Sequence, residues 1–234
     1  MYAPKRVRRK GGEKMLAYKF RSSGQLDFTF DIVLNNRLHC ADWRNLNDPM
    51  EGMFAYSYRS TDERDYSEQV DEIIRHKERL LVCSLSRTFD CHLLWAHYAS
   101  GFAGLAVEVE LPENSPRVKV VEYRGVFGYV SFNEPVIPSQ AAEQVLSSKY
   151  KEWAYEKEVR ILQSGEWYQL AKPVKRIIVG HRMHPAVFEA LRIICADKDI
   201  TLNRTGIGDE GIDADRVPPL ERMPRHRRKP HGRG

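Results

Sequence analysis

The sequence predicts an α+β domain with a mainly antiparallel or mixed, split β-core and peripheral helices. Two observations carry this. Strand-like runs outnumber helical ones, and neighbouring runs such as VKVVEYRG and VFGYVSF, set around Gly125, suggest hairpins. Both argue against a doubly wound sheet. A chain of 234 residues with 42% hydrophobic and 10% aromatic content can bury a substantial core.

The elements follow in order. MLAYKF is a short apolar strand. A short helix or turn near Phe28–Leu34 precedes a strand near Arg37–Cys40. NLNDPME is turn chemistry, with Asn and Asp ahead of a proline. YSEQVDEIIRHKERLLV is the clearest helix, because Val70, Ile73, Ile74, Leu80 and Leu81 keep one face apolar. LLVCSLS is a buried strand. HLLWAHYASG is a short helix stopped by Gly101. GLAVEVEL alternates as a half-buried strand does. PSQAAEQVLSSKYKEWA opens with Pro138 and Ser139, good helix-entry residues, and has helical periodicity. EWAYEKEVRI then reads as a strand with Glu156, Glu158 and Arg160 on one side and Val159 and Ile161 on the other. VKRIIVG is a strand, HPAVFEALRIICADK a helix with Pro185 in its first turn, and ITLNRTGI a last strand.

The formal net charge of +5 is unevenly spread. Residues 1–14 hold six Lys/Arg and one Glu, and residues 216–234 hold seven Lys/Arg and one Glu, so residues 15–215 sum to −6. The reading is therefore one acidic α+β domain over 15–217, between disordered basic tails at 1–14 and 218–234. Weak, salt-sensitive contact of the tails with nucleic acid is one expected partner interaction. No run approaches 18 apolar residues and no signal-peptide core follows the basic start, so a cytoplasmic chain with no membrane contact is expected. Cys40, Cys83, Cys91 and Cys195 form no CxxC pair and read as thiols of a reducing compartment. Cys91, His92 and His97 match no standard zinc spacing, and no metal is expected.

Five groups of residues could carry chemistry. Same-face neighbours on a strand lie about 6.5–7 Å apart, where two carboxylates repel by about 2.5 kcal/mol at an effective dielectric near 20. Glu156 and Glu158 would then differ in pKa if buried, with Arg160 placed to balance Glu158. The same pattern also reads as an exposed strand kept soluble by charge. Trp95 and Tyr98 share a helix face and could line a ring-binding site beside His97, or simply pack in the core. Ser84 and Ser86 share a strand face. Asn47, Asp48 and Glu51 fall in one turn that its own side chains can cap. His181 and His184 lie near a helix start with no evident third ligand. The absence of G-x-G-x-x-G, Walker A, H-E-x-x-H and G-x-S-x-G motifs argues against Rossmann dehydrogenases, P-loop ATPases, zincins and α/β-hydrolases.

The runs YKF, LNDPME, CSLS, LLWAHYASGFAG, EWAYEKEVR and VKRIIVG, in this order, resemble a bacterial and phage family catalogued as domain of unknown function 2971. The resemblance spans nearly all of residues 16–215 and departs at Phe102, where that family commonly carries a histidine. A second, weaker analogy is to ADP-ribosyltransferases of the Arg–Ser–Glu type. Their order of a basic first-strand residue, a Ser-x-Ser strand and a Glu-x-Glu strand is similar to Lys19 or Arg21, Ser84-x-Ser86 and Glu156-x-Glu158 here. The analogy implies an NAD-consuming ADP-ribosyltransferase or NAD glycohydrolase, of the kind used as toxins or phage-defence effectors, with NAD as substrate and a macromolecular acceptor. It assigns Glu158 and Glu156 to catalysis, Lys19, Arg21, Ser84 and Ser86 to NAD binding, and Trp95 or Tyr98 to packing on nicotinamide; His97 joins the catalytic candidates as a side chain able to titrate near neutral pH. Two alternatives stay open. One is a regulatory module that binds nucleic acid through its tails. The other is a metal-dependent nuclease built on Asp48, Glu51, Glu156 and Glu158.

Overall fold

The computed structural model describes residues 14–58, 65–125 and 127–218. Apart from Lys14 and Pro218, the two basic tails and their expected disorder lie outside the described residues. Lys14 itself belongs to the first strand.

The first half of the chain forms β1 (Lys14–Arg21), α1 (Leu26–Asn35), β2 (Arg37–His39), β3 (Ala41–Asp42), β4 (Phe54–Ser57), α2 (Ser67–Glu78), β5 (Leu81–Ser86) and α3 (His92–Tyr98). Then come β6 (Leu105–Pro112), β7 (Val118–Val120), β8 (Glu122–Arg124), β9 (Gly128–Ser131), α4 (Pro138–Val145) and β10 (Ser148–Tyr150). The last part holds β11 (Glu158–Gln163), β12 (Trp167–Gln169), β13 (Arg176–Val179), α5 (Pro185–Lys198), β14 (Thr201–Gly208) and β15 (Gly211–Arg216). Short 3-10 turns occupy Trp43–Asn45 and Lys151–Glu156.

The expected α+β class holds, with a mixed sheet that is mainly antiparallel. Its strands run in the order β15-β14-β13-β6-β1-β5-β11-β7, and β3 joins β5 off that path. Within this sheet only β13 and β14 pair in parallel. Strand β6 lies between β1 and β13 and is more buried than its alternating sequence suggests. Leu105, Ala106 and Val107 are fully covered, because helices close both faces of the sheet there. The larger core gathers Ala17, Val107, Val159, Ile161 and Ile177 under Ile32 and Val33 of α1 and Leu191 and Cys195 of α5. The opposite face gathers Tyr18, Phe20, Ala106 and Ile178 under Leu94 and Trp95 of α3. A third cluster joins α2, α4 and β9 through Ile73, Ala142, Val145 and Val130.

One irregularity of the sheet positions the site. Strand β5 is paired along one edge by β11, from Ser86↔Glu158 to Leu81↔Gln163. On its other edge β1 meets it at the single pair Tyr18↔Ser86, and β3 returns only at Ala41↔Val82. Residues 83–85 therefore have no strand partner on that edge. The Lys19 ammonium enters the gap and donates to the Ser84 carbonyl at 2.7 Å, which satisfies one of the stranded backbone groups.

Further sequence expectations change. The hairpin expected of VKVVEYRG and VFGYVSF does not form: β7 pairs with β11, β8 in parallel with β10 and β9 in parallel with β4, because each run finds its partner in a distant segment. Helix α4 stops at Val145 instead of running to Ala154. The Ser147 and Ser148 hydroxyls donate back to the carbonyls of Glu143 and Gln144, and Ser148–Tyr150 then pairs with β8. EWAYEKEVRI is only partly a strand. Its first half is a 3-10 turn, and Lys157, in the left-handed region at φ 45°, turns the chain into β11. The chain also continues past β14, since β15 returns along it from Gly208↔Gly211 to Asn203↔Arg216.

The position of β1 depends on Gly104, where an added Cβ would lie 2.1 Å from the Arg21 carbonyl. Neither atom belongs to a flexible side chain. Gly104→Ala should lower stability by about 1–3 kcal/mol in urea unfolding. Gly24→Ala, with nothing within 4 Å of its added carbon, should leave the midpoint nearly unchanged. Equal midpoints for both variants would contradict this packing.

Candidate active site

A cleft of about 400 Å³ opens at the gap between β1 and β5. Pairing places Tyr18, Ser84, Ser86, Glu158 and Arg160 on one face of the sheet. Lys19 and Arg21 alternate with Tyr18 and reach the cleft through the gap. Of the residues singled out by sequence, Lys19, Arg21, Ser84, Ser86, His97, Tyr98, Glu156 and Glu158 all line it. His97 sits exposed at the mouth, at the end of α3.

Trp95 does not line the cleft. It is fully buried behind α3, donates its indole N–H to the Phe89 carbonyl at 2.7 Å and stacks on Phe102 at 5.3 Å. The expectation that it could contact a ligand ring is corrected: its face of the helix is the one pressed onto the sheet. Phe102 is on that side too, between Trp95 and His181, away from the cleft lining.

The cleft floor is a buried ion cluster. Arg160, with no exposed surface, grips Glu158 through Nε at 2.8 Å and Nη2 at 3.0 Å. Its Nη1 and Nη2 also donate to the two oxygens of Glu51 at 2.8 and 2.6 Å, and Nη1 to the Leu146 carbonyl at 2.8 Å. The Lys149 ammonium lies 2.7 Å from Glu156, 3.3 Å from Glu158 and 3.5 Å from Glu51. Tyr98 donates its hydroxyl to Glu156 at 2.6 Å. Three carboxylates thus share two cations, an excess of one negative charge.

Backbone contacts fix the two glutamates. The Ser86 hydroxyl donates to the Glu156 carbonyl at 2.6 Å and accepts from the Thr88 N–H at 3.0 Å. The Glu158 N–H donates to the Tyr123 hydroxyl at 2.7 Å. Ser86 therefore acts as a latch for the turn before β11.

The environments drive the two carboxyls apart. Burial raises Glu158, but Arg160 and Lys149 outweigh it and bring the group down to about 2. Burial also raises Glu156. There the pull of Lys149 is insufficient, the neighbouring Glu158 adds repulsion, and the group ends above its ordinary value. Burial raises Tyr98, helped by its bond to Glu156.

The facing wall is cationic. Burial lowers both Lys19 and Arg21 from their ordinary values. Arg21 is 8% exposed, and its Nε and Nη2 have no hydrogen-bond partner among the described residues. Its guanidinium lies 5.1 Å from the Phe28 ring.

Sequence reasoning did not place Lys149 at the site, and it assigned Glu51 only to a metal-binding alternative. Lys149 carried no signal, being one lysine of a run read as helix. Glu51 stood in the noted LNDPME turn, where Asp48 does cap the Met50 N–H at 2.9 Å. Asp48 is thereby turned to its own backbone, and Glu51, Glu156 and Glu158 are taken up by Arg160 and Lys149. No group of three or more His, Cys, Asp or Glu suited to a metal occurs among the described residues.

Two outcomes follow from the cluster. Arg160→Met should destabilise the chain by about 3–5 kcal/mol in chemical unfolding, because Glu51 and Glu158 would be left buried without their common partner. A change under 1 kcal/mol would contradict the cluster. Glu158 titrates lower in the folded chain than its ordinary 4.5, so its contribution to stability is complete above about pH 4.5 and disappears as pH falls toward about 2. The opposite shift of Glu156 acts above that window. Stability of the wild type should fall across pH 4.5 to 2 more steeply than that of Glu158→Gln, measured by urea midpoints; parallel curves would refute the assignment. No protein-family model, curated protein or solved structure matches the chain.

Proposed function

We propose that the chain is an NAD-consuming enzyme, an ADP-ribosyltransferase or NAD glycohydrolase, whose substrate occupies the cleft between β1 and β5. The observation that carries this reading is Arg21. A buried guanidinium with two nitrogens unpartnered among the described residues, lining a cleft beside a buried lysine, calls for an anion with several oxygens. A diphosphate meets that demand, and the volume suits a small-molecule ligand.

The carboxylates supply the second half of the reading. Cleavage of the nicotinamide–ribose bond develops positive charge on the ribose. Glu158, kept ionised by Arg160 and Lys149, presents a fixed negative charge to stabilise it. Glu156, with its raised pKa and its Tyr98 contact, is suited to accept a proton from an acceptor hydroxyl or water. Lys19 and Arg21 hold the diphosphate, Tyr98 offers an aromatic wall, and His97 stands at the mouth where an acceptor would approach. Consumption of NAD is also the activity expected of a toxin or phage-defence effector.

The test is incubation of the purified full chain with NAD, nucleic acid and cell extract, following nicotinamide release. Release is expected. Arg21→Met should raise KM for NAD by about tenfold or more, and Glu158→Gln should lower kcat by about a hundredfold or more, with each variant's thermal midpoint recorded alongside. Absence of release by the wild type under all these conditions, or unchanged turnover in folded Glu158→Gln, would overturn the proposal.

A further inference from the structure

A second cavity, of about 650 Å³, lies on the other side of the 46–52 turn and shares only Glu51 with the cleft. The apolar part of its lining is Trp43, Met53, Phe54, Ile74 and Phe127, and the Arg44–Glu78 pair lies at its edge. Into it projects Lys77, from the last turn of α2, a residue only 7% exposed.

Lys77 has no carboxylate partner among the described residues. Its ammonium donates once, to the Gly52 carbonyl at 2.6 Å, and otherwise lies over rings, 4.4 Å from the Trp43 centroid and 5.5 Å from that of Phe54. The three acidic residues lining the cavity are committed elsewhere. Glu78 pairs with Arg44 at 2.9 Å, Asp48 caps Met50, and Glu51 belongs to the Arg160 cluster. A buried ammonium that makes one bond to a neutral acceptor retains two N–H groups to satisfy. A second donor is in the same position: the Trp43 indole nitrogen is buried and has no partner among the described residues.

The arrangement is built closely. Gly52 adopts φ +71°, and a Cβ there would lie 2.6 Å from the Trp43 ring. Only glycine lets the turn rest flat on the indole and aim its carbonyl at Lys77. The result is a cavity with mainly apolar walls, in which the Lys77 ammonium has no ion-pair partner and the Trp43 N–H no hydrogen-bond partner among the described residues.

We infer that this cavity is a binding site for a small apolar monocarboxylate, its carboxylate held by Lys77 and the Trp43 N–H and its hydrocarbon or aryl body lying against Phe54, Ile74 and Phe127. Charge complementarity selects the class. An uncharged apolar molecule would fill the volume and leave the ammonium and the indole N–H unsatisfied, and a polyanion would set its further charge beside Asp48, Glu51 and Glu78 of the lining, where Arg44 is already paired with Glu78. The inference does not rest on the NAD reading, since Lys77 and Trp43 do not line the cleft and Glu51, the one residue the two linings share, takes no part in holding the carboxylate.

The test uses a matched pair of probes, 4-phenylbutanoate and 4-phenylbutan-1-ol, titrated into the full chain at pH 7 by calorimetry. The acid should bind at least tenfold more tightly than the alcohol. Lys77→Met, which keeps length and apolar contact, should bring the two affinities to within about twofold, with the thermal midpoint reported for the variant. Trp43→Phe, which keeps a ring and removes the N–H, should weaken the acid severalfold and leave the alcohol unchanged; it decides the matter if Lys77→Met does not fold. Equal affinities in the wild type, no acid binding up to millimolar concentration, or a preference for acid that persists in both variants would overturn the inference.

Discussion

Arg160 holds the site together. Its guanidinium, fully enclosed, spans from β11 to the turn before β4 and binds Glu158 and Glu51 at once. Together with Lys149 on Glu51 and Lys77 on the Gly52 carbonyl, that side chain sets where the 46–52 turn lies, and hence the shape of both cavities that the turn divides. Ion pairs this deeply buried seldom stabilise a fold relative to apolar residues of equal volume, since desolvation offsets most of their attraction. Five charged side chains in one buried cluster are therefore poorly explained by stability alone. Their geometry makes sense as a device that keeps Glu158 ionised and holds the carboxyl groups stationary next to a cleft.

The opposite wall obeys the complementary constraint. Where β1 and β5 separate after one shared pair, backbone groups are exposed inside the sheet, and Lys19 fills part of the gap. Arg21 stands next along the strand with unsatisfied nitrogens. Leaving a buried guanidinium unpaired is costly, and the enclosing residues, Phe28 and the strand itself, cannot meet its hydrogen bonds. The cleft thus combines an anionic floor, already neutralised to within one charge, and a cationic wall whose Arg21 has two nitrogens without a hydrogen-bond partner among the described residues. A ligand whose anionic part meets the wall and whose developing cation meets the floor fits both halves.

How far this could be read in advance depended on the range of each interaction. The Ser-x-Ser and Glu-x-Glu spacings were legible because a strand's period of two acts locally, and β5 and β11 do lie side by side with Ser84 facing Arg160 and Ser86 facing Glu158. The first-strand cations were legible for the same reason. Trp95 misled, since an aromatic on a helix looks alike whether it faces a ligand or the core; only the position of α3 against Phe20 and Phe102 decides it. Lys149 and the bond of Glu51 to Arg160 were not readable. The latter joins residues 109 apart in sequence and depends on the tertiary path of the turn. The strand expected through residues 152–157 failed because pattern alone does not reveal a tertiary latch such as Ser86.

That latch explains why the two glutamates behave differently. On a continuous strand they would share one face about 6.5–7 Å apart and see nearly the same surroundings. Instead Lys157 sits at φ 45°, a conformation that disfavours a residue with a Cβ by roughly 1–2 kcal/mol. Ser86 on one side of it and Tyr123 on the other hold it there. The twist sends Glu156 toward Tyr98 and Lys149 and leaves Glu158 against Arg160, so one carboxyl is pushed up and its neighbour down. Strain retained at a single residue is thus converted into two carboxyl groups of different proton affinity within a few ångströms, the separation of roles that acid–base chemistry beside a fixed negative charge requires.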